Sequence, residues 1–132
     1  MALQYRITKR NNTLQNNTPQ YILQAISRGT IDLEQLSADI SNECSLHQVD
    51  VQAVLIALGI KMEFYLQDGY ALDMGAVGKF KMGFQSVAAP SPEVLSPKKN
   101  IKKFIINYQP SRKLKRLLKA GVQVYKEGSR HL

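Results

Sequence analysis

The 132-residue chain has few of the side chains that enzymes and secreted domains depend on. Its one cysteine, Cys44, excludes a disulfide within the chain, and a lone thiol is more often a packing group than a nucleophile. Its two histidines, His47 and His131, do not stand at metal-ligand spacing from cysteines or carboxylates. No Ser-His-Asp set suggests itself. We therefore expect a non-enzymatic protein with no metal, no cofactor and no small-molecule substrate.

Long apolar runs are also missing. The first ten residues, MALQYRITKR, lack the apolar stretch of a signal peptide, and no run approaches the roughly 18 apolar residues of a membrane span. Binding to an anionic membrane surface would need large apolar side chains left free beside a basic face, and we expect the leucines of the last helix to pack inward instead. The sequence therefore predicts a cytoplasmic protein without a membrane partner.

Acidic residues are missing from one part of the chain and concentrated in another. The formal net charge is +8, yet residues 30–73 hold eight of the ten acids and a single base, Lys61. Residues 98–119, KKNIKKFIINYQPSRKLKRLLK, hold nine bases and no acid. A solvated helix face normally mixes both signs, so this segregation favours a surface that binds a polyanion over one that serves solubility alone.

The first half of the chain predicts two strands followed by two helices. Apolar residues alternate in the strands and recur at helical spacing in the helices, which gives strands over 2–9 and 21–27 and helices over 33–40 and 47–67. Asp32 can cap the first helix, and either Ser45 or His47 can cap the second. The pattern then returns to a period of two, which predicts further strands.

A glycine-rich segment, DMGAVGKFKMGF over 73–84, interrupts these later strands. A phosphate-binding P-loop needs four residues between its first glycine and a Gly-Lys-Ser/Thr, but only two separate Gly75 from Gly78, and Phe80 follows Lys79. A dinucleotide-binding fingerprint needs a helix after the glycines, and the period here is two on both sides. The segment is therefore predicted to be a strand–turn–strand corner.

The last third of the chain predicts an arm, a strand and a helix. Residues 87–100, VAAPSPEVLSPKKN, contain three prolines and little periodicity, which is typical of an arm or loop. Residues 101–108 alternate as a strand, and Ser111 can cap a helix that ends near Gly121. The complete order predicts an α+β protein with an antiparallel sheet.

This order of elements resembles the HU/IHF family of bacterial architectural DNA-binding proteins. Two helices precede a strand, a GAVGKF corner, a long arm and a final helix that begins within YQPSRKLK. Gly78 and Phe80 match the second glycine and the phenylalanine of the family's corner. Pro110, Lys113 and Leu114 match its final turn and helix.

The resemblance implies an HU-like fold, in which a helical hairpin packs on an antiparallel sheet with a long β-arm and a C-terminal helix. Residues 31–120 would form this DNA-binding domain. Residues 1–30 would be an N-terminal strand extension, similar to the extended HU-like branch of Bacteroidetes, and residues 121–132 a C-terminal tail. The family implies a homodimer at the nucleoid that binds double-stranded DNA with little sequence preference.

Phosphate contacts would then come from the bases of the sheet, the arm and the last helix. The candidate DNA-binding residues are Lys79, Lys81, Lys98, Lys99, Lys102, Lys103, Arg112, Lys113, Lys115 and Arg116. Such contacts position a protein on DNA without reading its sequence.

One segment departs from the family's pattern. Family arms usually carry Arg-Asn-Pro near the tip, where the proline wedges between base pairs, a behaviour described for IHF and HU themselves. Here the tip reads APSPEVLSP, with Pro90 and Pro92 as possible wedges, Glu93 beside them and no arginine. We expect phosphate contact without deep insertion. The alternative hypothesis is an HU-like dimeric interaction module that has lost DNA binding, which the altered arm favours and the acid-free segment disfavours.

Overall fold

The computed structural model describes residues 2–11 and 18–128, so that His131 lies outside the described residues. The strands are β1 (Leu3–Asn11), β2 (Pro19–Ile26), β3 (Leu72–Asp73), β4 (Gly78–Ser86), β5 (Ile101–Pro110) and β6 (Val124–Lys126). The helices are α1 (Leu33–Glu43), α2 (Gln48–Gln67), α3 (Pro97–Asn100) and α4 (Arg112–Ala120), with a 3₁₀ turn over Pro92–Val94. The predicted mixed α+β class is confirmed.

The chain divides into two compact units. The first combines residues 1–32 with residues 117–132, and the second consists of residues 33–116. Contacts between distant parts of the sequence define the first unit, because the last described strand returns to the first. From its sequence, the chain is expected to divide near residues 30 and 120 into an extension, a DNA-binding domain and a tail. This division into domains stays a prediction.

The first unit contains a three-stranded sheet in the order β2-β1-β6. β1 and β2 pair antiparallel from Gln4↔Ile26 to Asn11↔Pro19, as the alternation predicts. β6 pairs parallel with β1, and Arg6 donates to Glu127 Oε1 at 3.2 Å beside it. The predicted C-terminal tail, residues 121–132, thus contributes a strand and a parallel pair, which the sequence did not indicate because a three-residue strand is too short to show alternation.

In the second unit, α1 and α2 form a helical hairpin that packs on a sheet. His47 takes extended backbone angles before α2 and is therefore its N-cap residue, although its side chain makes no capping hydrogen bond. The side chain of Gln48 donates to the carbonyl of Glu34 at 3.3 Å and ties the start of α2 to α1. Among the apolar side chains of the described residues, only Val51 and Leu66 are buried, and both lie on α2.

The sheet of the second unit has the order β3-β4-β5 and is antiparallel throughout. Directly opposite residues share a face, so Phe80 with Tyr108 and Met82 with Ile106 form one apolar face. Met82 and Ile106 line a groove together with Met62 and Leu66 of α2, which shows that this face is turned toward the helices. Lysines occupy the opposite face.

Residues 87–100 form a folded loop, here called the tip loop, instead of a long β-arm. Pairing of β4 with β5 ends at Ser86↔Ile101, just after a bulge. Asn100 closes the loop, because its amide donates to the carbonyl of Val87 at 3.0 Å and its side-chain oxygen accepts from the backbone N–H of Ser96 at 2.8 Å. Proline has no N–H to donate to a strand ladder, which explains why three prolines exclude a longer ribbon.

Candidate nucleic-acid interface

The glycine corner, residues 73–78, is held by hydrogen bonds between its own residues. The carboxylate of Asp73 accepts from the N–H of Gly75 at 3.0 Å, an Asx turn that places Gly75 at φ +58°. The N–H of Met74 donates to the carbonyl of Gly78 at 2.8 Å and closes the corner. β3 and β4 pair antiparallel on either side of the corner, and the predicted strand–turn–strand is confirmed.

Gly78 allows this corner to lie directly against β5. It is buried with φ +133°, and a Cβ built there would lie 2.5 Å from the carbonyl oxygen of Gln109 and 2.7 Å from the ring of Tyr108. The Tyr108 hydroxyl donates to the carbonyl of Val77 at 2.7 Å across the same gap. Because glycine has no side chain, the backbone of the corner can approach the end of β5 this closely.

A basic cleft of about 520 Å³ lies between the corner and the start of α4. Its walls carry four bases and one acid, because β4, β5 and α4 all meet at this point. The lining residues are Asp73, Gly75, Ala76, Gly78, Lys79, Gln109, Pro110, Ser111, Arg112, Lys113 and Lys115. The cleft is therefore strongly cationic, with exposed side chains that can follow an anion.

The start of α4 adds backbone donors to this cleft. The Ser111 hydroxyl accepts from the N–H of Leu114 at 3.3 Å, which confirms the predicted cap. No acid lies in the first turn of α4, and Arg112 and Lys113 begin the helix. Basic side chains at a helix N-terminus are unfavourable for the helix dipole on their own, and a bound anion would offset this cost.

A second cationic surface, here called the lysine face, covers the side of β4 and β5 turned away from α2. Lys79 stands opposite Gln109, Lys81 opposite Asn107, and Gln85 opposite Lys103. These pairs alternate with the apolar pairs, so all three lysines point to one side. Lys79 belongs both to this face and to the basic cleft. The two surfaces are therefore continuous.

Not all candidate residues come together in this way. Lys102 lies at the bulge of β5, between Ile101, opposite Ser86, and Lys103, opposite Gln85, so it is not part of the alternating pairs that form the lysine face. Lys98 and Lys99 belong to α3 within the tip loop, and Arg116 does not line the basic cleft. The possible wedges also lie in the tip loop, Pro90 before the 3₁₀ turn and Pro92 as its first residue.

Several residues at these surfaces were not singled out from the sequence. Asn107 and Gln109 alternate with apolar residues of β5, a signal that could have placed them on the lysine face. The place of Asp73 in the cleft could not be predicted, because its distance to the bases of α4 depends on tertiary structure. Asn100 gave no sequence signal for its role in closing the tip loop.

Two properties of the described residues concern metal binding and membrane spanning. No group of three or more histidine, cysteine, aspartate or glutamate side chains there could hold a metal ion. None of the helices in the described part of the chain has both the length and the apolarity to cross a membrane.

The described residues form a mixed α+β fold in which a basic cleft lies between a glycine corner and a capped helix. The chain belongs to the HU-HIG family, described as an HU domain fused to wHTH, Ig, or glycine-rich motif, whose model matches residues 1–126. The resemblance is thereby confirmed. A comparison with curated proteins finds no match.

A solved structure shares the fold. It is a "Putative bacterial DNA binding protein" from Bacteroides vulgatus ATCC 8482, with a TM-score of 0.64 and 13% sequence identity over 98% of this chain. The match spans 50% of that protein, so this chain covers half its length. At this identity the likeness concerns the fold.

Proposed function

We propose that this chain is a non-enzymatic, architectural DNA-binding protein of the bacterial nucleoid, in the cytoplasm, and that it binds double-stranded DNA as a homodimer. One observation carries the proposal: Lys79, Arg112 and Lys113 converge with Lys115 on one open cleft at the glycine corner. Family membership and the DNA-binding description of the Bacteroides protein support the same function.

The basic cleft suits the phosphate backbone of a duplex. Its lysine and arginine side chains supply charge, and the first turn of α4 supplies N–H groups that favour an anion. The lysine face continues from Lys79, so that a backbone held in the cleft would run on past Lys81 toward Lys103. Neutralising phosphates in this way releases counterions, which drives binding without reading bases.

The residue types favour binding with little sequence preference. Of the ten candidate contacts, eight are lysines and two are arginines, Arg112 and Arg116. Lysine is a flexible point charge that suits phosphates, whereas the commonest specific base contact is a bidentate arginine to guanine. Asn107 and Gln109 can donate to phosphate as well as to bases. We therefore expect similar affinities for unrelated duplexes.

Salt dependence is the decisive test of this proposal. If a homodimer contacts about six to ten phosphates, its affinity should fall on the order of a thousand-fold or more between about 50 and 200 mM salt. Gel-shift titrations at both concentrations, on a duplex and on a shuffled duplex of equal length, measure this fall. Failure to retain any duplex at low salt would instead support the interaction module without DNA binding.

The homodimer is proposed because α2 carries more apolar surface than one chain covers. Ile56, Ile60 and Phe64 recur every four residues and form a stripe whose side chains are 52%, 61% and 62% exposed. A helix that is apolar around its whole circumference normally lies inside a core. Phe84 and Phe104, on the sheet face turned toward α2, are also more than half exposed. An intertwined partner would cover both sets.

Light scattering should therefore give at least twice the 14.9 kDa of one chain at micromolar concentration. Ile60→Glu should shift the protein to monomers or unfold it, because a carboxylate in an apolar interface is left unpaired. Gln67→Glu, which adds the same charge at an exposed polar position of the same helix, should leave the dimer intact. A monomer mass for the unmodified protein would disprove the dimer.

The tip loop is expected to bend DNA only weakly. Its apolar side chains Val94 and Leu95 are about half exposed, but Glu93 lies beside them and is repelled by the grooves of DNA. Kinking costs a few kcal/mol per unstacked step and needs an inserted apolar wedge to offset it. Pro90→Ala and Pro92→Ala should therefore leave affinity nearly unchanged.

Energy transfer between dyes at the two ends of a short duplex measures this bending. Only a small change is expected on binding, and it should be the same for both proline variants and for the unmodified protein. A large approach of the duplex ends that either substitution abolishes would show that the tip loop acts as a wedge.

A further inference from the structure

Strand β2 lies at the edge of the first unit's sheet with one side unoccupied among the described residues. The sheet order is β2-β1-β6, and β2 pairs there with β1 alone. Its eight residues, PQYILQAI, contain no charged side chain. The register with β1 runs from Asn11↔Pro19 to Gln4↔Ile26 without a bulge. β2 is thus a long, regular and uncharged edge.

Natural sheets usually protect such an edge. Lysines, prolines within the strand, bulges and very short strands all prevent a second chain from pairing with the free N–H and C=O groups. The opposite edge of the same sheet has this protection, since β6 has only three residues and carries Lys126 beside Glu127. In β2 the only such residue is Pro19, at its first position, where the strand is not interrupted.

The side chains of β2 are exposed as well as its edge. Tyr21 is 67% and Leu23 71% exposed, and Leu23 stands opposite Ile7 of β1, which is 51% exposed. Val124 of β6 stands opposite Leu3 on the same face and is 59% exposed. This face therefore presents exposed apolar side chains up to the β2 edge, with Lys9 opposite Tyr21 and Lys126 opposite Tyr5 as its bases.

We propose that β2 pairs antiparallel with β2 of a second copy of this chain, which joins the two N-terminal sheets into one. A strand can lie opposite its own copy only if like charges do not meet. β2 satisfies this condition because it has no charged residue, although the chain as a whole has a net charge of +8. Two-fold symmetry gives each copy the same contacts, with bulky apolar side chains opposite one another.

The symmetry also restricts the register. A two-fold axis places one residue opposite its own counterpart, and β2 pairs over nearly all of its eight residues only if that residue is Ile22 or Leu23, in the middle of the strand. In both cases the face that carries Ile7 and Leu23 in one copy continues into the same face of the other copy.

DNA is not a suitable occupant of this edge, because β2 offers no base to a phosphate. The inference does not depend on the proposed DNA binding.

A cysteine scan tests the pairing directly. The exposed Cys44 is first replaced by serine, and single cysteines are then placed at Tyr21, Ile22, Leu23 and Gln24. Directly opposite residues of an antiparallel pair have Cβ atoms about 4.5–5.5 Å apart, close to disulfide distance. Mild oxidation of the full chain should cross-link copies strongly at position 22 or 23 and several-fold less at the other two positions. Val124→Cys, at an exposed residue of β6, should give little cross-linking.

Hydrogen exchange provides a second measurement. In the unmodified protein the amides along the whole of β2 should be protected, and Leu23→Lys should remove the protection of every second amide and prevent cross-linking at position 22. Ile7→Lys places the same charge on the neighbouring central strand and should leave the edge paired. Equal cross-linking at all four β2 positions, at none of them, or fast exchange of every second β2 amide in the unmodified protein would overturn the proposal. Protection without cross-links would overturn it too, in favour of a foreign peptide at this edge.

Discussion

Alanine at all four basic positions of the basic cleft is expected to weaken DNA binding on the order of a thousand-fold or more at moderate salt. In a homodimer the change removes about eight potential phosphate contacts, and each contact contributes about 0.9 to the slope of log affinity against log salt. The salt dependence should therefore become much shallower as well. The four positions are Lys79, Arg112, Lys113 and Lys115.

A matched pair of double variants separates the cleft from the overall charge. Arg112→Ala with Lys113→Ala removes two bases from the cleft, whereas Lys9→Ala with Arg10→Ala removes two from β1. Gel shifts on the same duplex should show the larger loss for the first pair, and circular dichroism should show that both remain folded. Equal losses would mean that net charge attracts DNA and that the cleft has no particular role.

Gly78→Ala is expected to destabilise the protein by about 3 kcal/mol or more. The new Cβ would need to occupy a point 2.5 Å from the backbone oxygen of Gln109, which cannot rotate away, and Gly78 has φ +133°, a region that L-residues rarely adopt. Backbone strain and overpacking each cost about 1–3 kcal/mol. The midpoint of urea unfolding measures the loss.

Gly75→Ala is the control for this substitution. Gly75 also has a positive φ, +58°, but nothing lies within 4 Å of its missing Cβ. We expect a loss of only about 1 kcal/mol, because alanine tolerates this left-handed conformation at modest cost. If both variants unfold at the same urea concentration, the close approach of the corner to β5 does not contribute to stability.

Helices and the longer strands of this protein could be predicted closely from its sequence. α2 runs from Gln48 to Gln67, within one residue of the expected range, because apolar residues recur at helical spacing over 20 residues. The cap at Ser111 was predictable, since it depends only on a residue three positions away. The glycine corner was predictable because its neighbours on both sides alternate.

The candidate site could be predicted in composition but not in arrangement. Ten bases were proposed, yet the structure groups Lys79 with Arg112, Lys113 and Lys115 in one cleft. Lys103 stands opposite Gln85 on the lysine face, whereas Lys102, the preceding residue, falls at the bulge and has no opposite residue in the β4–β5 register. Charge is a property of composition, whereas its grouping depends on which strands and helices meet.

The sequence by itself determined the mixed α+β class, the order of helices and main strands, the segregation of charge and the resemblance to HU proteins. Each depends on neighbouring residues or on composition. Tertiary structure alone decided that β6 returns to β1, that the tip loop is closed by Asn100, and that Gly78 meets Gln109. These contacts join residues 13 to about 120 positions apart, and no local pattern encodes which partner a short strand or a single side chain will meet.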